Sequence, residues 1–564
     1  MNTLITLTRK LSVLVLLFMA CVFTTSAADF MVDSICYNII GENEVEVTKR
    51  DSVRYSGEVI IPATVVNDGV TYQVTRIGAS AFAGCKYMTL VDIPEGVLSL
   101  GNSSFEGCYA LESIDLPNSL VSIGKWAFWA CHGLTQFHVS RNLVDIAYNA
   151  FMDCYNIACF TCSSMNPRFK SVSGILYTKD MTTLYAYPPA ATATRFEIPG
   201  TVTSLYDYCF SYNHYLERVI IPESVTWMGM NIFRDCTKID SIYVPDGVTH
   251  MGVTVFGDCY SLTNVHLPAS LDTIYSSTFL NCSSLTEVTI PRNVSCLGEL
   301  SFSYNPALKK IIFEEGTRLK TIGNQAFREC NALESFDVPN GVDSIAGSCF
   351  YECASLKTLH LNEDLRVLSS NAVGSCPLLV ECDIPASITV VERQFMYCPQ
   401  MKHVKIGSKD APPGTTRVKN GIIFWAGNVE CVELGANVDS LENYAFNTSE
   451  KKIKVMISWA AVPPRSRNMF ATFPTDAVLY VPKASLDAYR EANDWKRFTT
   501  IVPIEDVGDV NADGLFNISD AIDLINILLN DETPMSPALA DVNLDGYINI
   551  SDAMALINRL ISER

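Results

Sequence analysis

The sequence is short of charge, and shorter of positive charge. Only 18% of its 564 residues are charged, and 61 acids outnumber 41 bases, for a formal net charge of −20. Nucleic acid and anionic membrane surfaces are therefore poor partners. The chain has no G-x-S-x-G elbow, no H-E-x-x-H pair and no phosphate-binding glycine loop, so the common signatures of hydrolase and nucleotide chemistry are missing. Beyond its first stretch, no segment is apolar enough to cross a membrane.

The first stretch reads as a secretory signal peptide over residues 1–28. Arg9 and Lys10 precede the apolar run Leu11 to Phe18, and Ser26-Ala27-Ala28 offers small residues, with cleavage after Ala28. Cys21 raises a rival reading, a lipoprotein anchor, although Phe18 fits poorly three positions before it. Either way the mature protein is exported, and is secreted or held at the cell surface.

What the chain does have is a period. Phe82, Phe105, Phe128 and Phe151 are 23 residues apart, as are Phe210, Phe233, Phe256, Phe279 and Phe302. Repeats of about 20 to 29 residues are the mark of a leucine-rich solenoid. In the unit Leu111 to Cys131, Leu111, Ile114 and Leu116 make a short strand that Pro117 ends. Asn118 and Ser119 supply the turn, and Ile123-Gly124 bends the chain inward. Ala127 and Phe128 fill the convex side. Eleven cysteines sit three residues after the ladder phenylalanine or its equivalent. In a stack they would lie about 4.8 Å apart, wider than the roughly 3.8 Å between Cβ atoms that a disulfide wants. They read as buried free thiols. Cys159 and Cys162 fall in an insertion, as a local disulfide or as two packed thiols.

The same logic divides the chain. Residues 29–75 form an N-terminal β cap, and 76–450 a solenoid with irregular rungs near 155–197 and 407–440. Residues 451–504 form a C-terminal cap, in which Leu479 to Pro482 is a final strand and Ser485 caps a short helix. The I-P-x-x-V-x-x-I-G-x-x-A-F-x-x-C unit resembles the BspA-like class of leucine-rich repeats of microbial surface proteins. The resemblance implies a solenoid with a parallel sheet on one face and a binding or adhesion role without shared catalytic residues.

Residues 505–564 hold twelve acids and two bases. The run Asp509-Val-Asn511-Ala-Asp513-Gly514-Leu515-Phe-Asn517-Ile518-Ser519-Asp520 returns 32 residues later as Asp541-Val-Asn543-Leu-Asp545-Gly546-Tyr547-Ile-Asn549-Ile550-Ser551-Asp552. Oxygen donors at loop positions 1, 3, 5, 9 and 12, a backbone carbonyl at 7 and glycine at 6 match a calcium loop. Two Ca2+ ions are expected. Position 12 is Asp in place of Glu, and no helix is expected before either loop. An amphipathic helix should follow each, Asp520 to Leu529 and Asp552 to Ile561, with Ile522 matching Met554, Ile525 matching Ile557 and Leu528 matching Leu560. Two loop-helix units in about 55 residues are similar to a type I dockerin. That resemblance implies a small all-α, calcium-dependent module that binds a cohesin on a scaffold or surface protein. It also implies that Ile518, Ser519, Ile550 and Ser551, at loop positions 10 and 11, help choose the partner.

Along the solenoid, strand alternation points Asp92, Asp115, His138, Glu197, Ile220, Tyr243, His266, Thr289, Ile312, Asp337, His360, Asp383 and Lys405 outward. No two of His138, His266, His360 and His403 occupy neighbouring rungs, so they read as solvated surface residues. The outward face is a candidate surface for a protein or glycan ligand. The expectation is a non-catalytic binding protein. Two alternatives stay open: a catalytic or non-catalytic component of a cellulosome-like polysaccharide-degrading complex, and a surface protein whose dockerin packs on its own solenoid.

Overall fold

The computed structural model describes residues 28–50, 53–419, 421–423, 426–442, 444–446, 452–466, 473–474, 476–530, 532–534 and 536–562. The expected signal peptide, as far as Ala27 and with Cys21, lies outside them. The chain divides into two compact units, residues 1–192 with 206–213, and residues 193–205 with 214–564.

In the first unit, Phe30–Val32, Ile35–Gly41 and Glu44–Thr48 pair antiparallel, and Glu44–Thr48 then pairs parallel with Val70–Ile77. Gly57–Ile60 is already in parallel register with Met88–Asp92. The first rung of the solenoid therefore lies inside the stretch expected to be cap. In the insertion, Cys159–Cys162 continues the outward sheet beside Gln136–Val139, and Phe169–Val172, Ile175–Thr178 and Thr183–Ala186 form an antiparallel meander. The irregular rung expected near 155–197 is thus one solenoid strand followed by a three-stranded meander. Cys159 and Cys162 are free thiols.

Each rung stacks by three devices. The first is the phenylalanine ladder: Phe82, Phe105, Phe128 and Phe151 are 5.1, 5.4 and 5.8 Å apart and nearly coplanar. In the second unit Phe233, Phe256, Phe279, Phe302, Phe327 and Phe350 stack at 5.2 to 5.8 Å. The second is a backbone ladder around those rings. Phe105 N donates to Ala127 O and Gly107 N to Trp129 O. To aim these groups the residues two before and two after the ring turn left-handed, as Trp126 (φ 54°) and Ala130 (φ 56°) do around Phe128. A non-glycine residue there costs about 1–2 kcal/mol, which the shared hydrogen bonds and ring stacking offset. The third is the cysteine ladder. Eight of these thiols donate to the carbonyl of the ring residue one rung earlier, for example Cys131 to Phe105 O (3.1 Å), Cys259 to Phe233 O (3.1 Å) and Cys353 to Phe327 O (3.2 Å). At Asn305, which takes a cysteine's place, Nδ2 makes the same bond to Phe279 O (2.8 Å). The position thus selects a small buried donor, which goes beyond the apolar filler expected from spacing.

Two local readings change. Gly124 has no positive φ. A Cβ there would lie 2.8 Å from Asn102 N, and one on Gly252 would lie 2.6 Å from Met230 N, so close rung-to-rung approach, not a special bend, demands glycine. The unit 111–116 carries only a single bridge, Asp92 to Asp115, in place of a full strand.

The second unit ends in a five-stranded parallel sheet, in order His403–Ile406, Cys431–Leu434, Val455–Ser458, Val478–Val481 and Thr500–Pro503. Val478–Val481 is therefore not the final strand. Helix α1, Leu486–Glu491, follows it, but the Ser485 hydroxyl makes no cap bond. Trp495 is buried, with Nε1 donating to Pro464 O (2.9 Å). Among the described residues no helix is long and apolar enough to cross a membrane.

Candidate metal centres and partner face

Beyond the terminal sheet lie helices α2 (Ile518–Asn530), α3 (Pro537–Ala540) and α4 (Ile550–Ser562). Helices α2 and α4 start two residues earlier than expected. Asn517 and Asn549 explain the shift: each Oδ1 accepts the backbone N–H two residues on, from Ser519 (2.8 Å) and Ser551 (2.9 Å), which is an N-cap. Loop positions 10 and 11 are consequently the first helical turn. A helical turn also precedes the second loop, in α3, where none was expected.

The same backbone bonds onto the first and last aspartates close both loops. Asp509 Oδ1 and Oδ2 accept from Asp513 N (3.0 Å) and Gly514 N (2.8 Å); Asp541 does the same for Asp545 N (3.0 Å) and Gly546 N (2.9 Å). Asp520 Oδ2 accepts from Asn517 N (2.8 Å), and Asp552 Oδ2 from Asn549 N (2.9 Å). Gly514 and Gly546 take φ of 85° and 84°, the left-handed turn that position 6 requires. These bonds curl each loop about a common centre and leave further lone pairs on the same oxygens.

Does the donor set fit calcium? Among the described residues no three His, Cys, Asp or Glu side chains are gathered tightly enough to hold a metal by themselves. The loops instead mix aspartates with Asn oxygens and the carbonyl of Leu515 or Tyr547, an all-oxygen set suited to a hard cation. Electrostatics in the second loop agree. Burial, with Asp552 and Asp545 close by, pushes Asp541 up to about 7, and burial also raises Asp552. An anionic cluster of this kind gains from a divalent cation.

The helices pack on each other through Val510, Ala521, Leu524, Ala540, Ala553 and Leu556. The core pairs at the 32-residue offset are Ala521 with Ala553 and Leu524 with Leu556. Ile522 and Met554, matched at the same offset, are 51% and 60% exposed. With Ile518, Leu529, Ile550 and Ile561, also exposed, they put apolar residues in matching positions on the outer surface of both helices. Ser519 is half-buried and Ser551 exposed.

The opposite side of this module rests on the terminal sheet. Along the solenoid as far as Lys405 the outward positions are exposed or half-buried and mix polar side chains with Ile220, Tyr243 and Ile312. His138 bonds Thr161 (2.8 Å), Tyr243 stacks on His266 (4.5 Å) and His360 meets Asp337 (2.5 Å). The outward register continues Lys405, Glu433, Ile457, Tyr480 and Val502. The last three are buried, as are Cys431 and Val455 in the neighbouring outward column. Ala538, Leu539 and Leu544 cover them, and Tyr480 donates its hydroxyl to Ala538 O (2.8 Å). A cleft of about 620 Å³ beside this seat is lined by Lys452, Lys454, Asp476, Pro537 and Asp541. Sequence reasoning stopped the outward series at Lys405. The signal was there in Val455-Met-Ile-Ser458, which lacks the alternation of a strand with one wet face.

Comparison with known proteins bears on both parts. The family described as BspA type leucine rich repeat region matches in six copies over residues 68–173, 185–309 and 320–454. The dockerin type I domain matches residues 507–561. No curated protein matches. Among solved structures, a leucine-rich repeat protein from Eubacterium ventriosum is 21% identical, with TM-score 0.45 over 60% of this chain and 92% of its own. One from Bacteroides ovatus is 27% identical, with TM-score 0.39 over 64% and 95%. A leucine rich cell surface protein from Faecalibacterium prausnitzii is 21% identical, with TM-score 0.41 over 68% and 96%.

Proposed function

Starting from a chain that belongs to the BspA type leucine-rich repeat family and carries a dockerin type I domain, we propose that it is an exported, non-catalytic binding protein. Its solenoid face takes a protein or glycan ligand, and its dockerin attaches it to a cohesin-bearing partner. Both families are non-catalytic in general, and dockerin type I domains bind calcium in general. We assign one ion to Asp509, Asn511, Asp513, Leu515, Asn517 and Asp520, and one to Asp541, Asn543, Asp545, Tyr547, Asn549 and Asp552. Bound calcium neutralises the loop carboxylates and fixes the loop backbone. The chain's own residues do the rest. Asn517 and Asn549 start the helices, Asp520 and Asp552 tie the loops closed, and Ile518-Ser519 and Ile550-Ser551 stand at the cohesin face. The observation that carries this reading is that the same backbone bonds onto the first and last aspartates recur in two loops, each followed by a helix with exposed apolar residues.

Isothermal titration of the full mature chain with calcium tests it, followed by binding to purified cohesins in calcium and in chelator. Two ions bound, one lost in each of Asp509→Ala and Asp541→Ala, and calcium-dependent capture of at least one cohesin are expected. A chain indifferent to calcium would overturn the assignment.

A further inference from the structure

The two loops differ at only three of twelve positions, and the differences are not scattered. Position 4 is Ala512 in the first and Leu544 in the second, position 7 is Leu515 and Tyr547, and position 8 is Phe516 and Ile548. Phe516 and Ile548 both pack on the dockerin's own core. The other two differences are where the second loop meets the solenoid. Leu544 packs on the cluster formed by Cys431, Val455, Ile457, Tyr480 and Val502. The Tyr547 ring lies 3.4 Å from Lys454 Nζ, which also donates to Glu430 (3.4 Å). Between them, a Cβ on Gly546 would lie 3.1 Å from Lys454 Cβ, whereas one on Gly514 meets nothing within 4 Å. Leu515 is 65% exposed.

We infer that the second loop is a latch: ordering of Asp541 to Asp552 seats the dockerin on the last rungs of its own solenoid through Leu544, Gly546 and Tyr547, while the first loop stays clear. This rests on the calcium reading above. Leu544 reaches the seat from a left-handed backbone position (φ 57°) and Gly546 approaches it at φ 84°, so contact requires the curled loop conformation that its carboxylates hold. By reciprocity, whatever calcium does for the seat the seat must do for calcium at this loop. The outer faces of α2 and α4 remain free, so a seated dockerin presents its partner surface at a fixed place on the solenoid.

The test exchanges the two contact residues for those of the first loop, Leu544→Ala with Tyr547→Leu. Every oxygen donor is kept, and the new residues are ones the first loop already carries. The control is the reverse exchange, Ala512→Leu with Leu515→Tyr. Cys431, 5% exposed within the seat, reports docking through iodoacetamide alkylation at pH 8.5, mapped by mass spectrometry in the full chain. In wild type, chelator should speed its alkylation at least roughly tenfold. The latch exchange should do so with calcium present and weaken one of the two calcium sites about tenfold, while the control changes neither. Unchanged alkylation and unchanged affinities in the latch exchange would overturn the latch and leave the calcium assignment standing. Equal effects from both exchanges would overturn the assignment of the seat to the second loop. No calcium uptake by wild type would instead remove the reading beneath it.

Discussion

Phe256 is fully buried, with Phe233 at 5.8 Å and an interplanar angle of 2° on one side and Phe279 at 5.4 Å and 15° on the other. Phe256→Ala removes a whole ring from a backbone that the neighbouring rungs hold in place, so the cavity cannot collapse. Such truncations cost about 3–5 kcal/mol, within which each lost ring contact carries about 0.5–1.5 kcal/mol. In a solenoid the loss is felt mainly by the rung and its two neighbours, so a global midpoint is the wrong readout. Hydrogen exchange of amides in residues 229–285 is the right one. A loss of about 3 kcal/mol raises local opening by roughly a hundredfold, while amides near Phe350 should barely change. Phe256→Leu should fall between mutant and wild type. Leu98→Ala, at a position 50% exposed, should stay within about 0.5 kcal/mol. Exchange rising less than tenfold in Phe256→Ala, or rising equally at distant rungs, would refute the nearest-neighbour account.

Gly252→Ala drives a methyl group into the backbone of the preceding rung, with Met230 N at 2.6 Å, and should cost more than about 1–3 kcal/mol by thermal denaturation. Gly316→Ala, at φ 74° with nothing within 4 Å, should cost only the left-handed penalty of about 1–2 kcal/mol. Equal costs would refute the close-approach reading. Burial pushes the Cys85 thiol up to about 11 and those of Cys154 and Cys330 to about 12. Their folded pKa values are raised, so their contribution to stability is complete at neutral pH and is lost progressively as pH climbs from about 9, where an unfolded thiol ionises, through 11 to 12. At pH 8 a thiol reagent should therefore read the half-exposed Cys159, Cys162 and Cys296 in the native chain and the ladder thiols only in denaturant. Rapid native modification of Cys154 would refute this.

The solenoid was legible because its devices repeat. A 23-residue phenylalanine period, a proline after most strands and a cysteine three residues past most of the rings each report one stacked position. The two matching loops were legible because the same oxygen-bearing run returns whole 32 residues later. What escaped depended on facts outside the local pattern. The helix starts moved because Asn517 and Asn549 do two jobs, loop donor and N-cap, and only geometry separates them. The sequence matches Ile522 with Met554, but an apolar stripe does not say which of two adjacent rows meets the partner helix. Small Ala521 and Ala553 do, by letting the backbones approach. Gly124 was read as a bend because sequence cannot tell a demand on φ from a demand on space. The buried outward columns at Ile457 and Tyr480 depend on a module that begins some fifty residues later in the chain.

That seat bears on how a near-symmetric dockerin would meet a cohesin. Ile518 and Ile550 are 57% and 66% exposed, so each loop-helix unit offers its own Ile-Ser pair. If either pair can face the partner, two binding orientations contribute equally to the association constant. Removing one pair, as Ile518→Ala with Ser519→Ala, halves that constant and costs about 0.4 kcal/mol, the logarithm of two in units of RT. Changing both pairs should abolish binding. Calorimetry with a purified cohesin in calcium separates these outcomes. The seat makes the comparison sharper, because the solenoid stands on one side of the module, and the two orientations carry the cohesin past it differently. Equal twofold losses from either single-pair variant mean that the seated dockerin accepts its partner both ways round. Complete loss from one pair alone would refute the equivalence, and would mean that the seated module admits its partner in a single orientation.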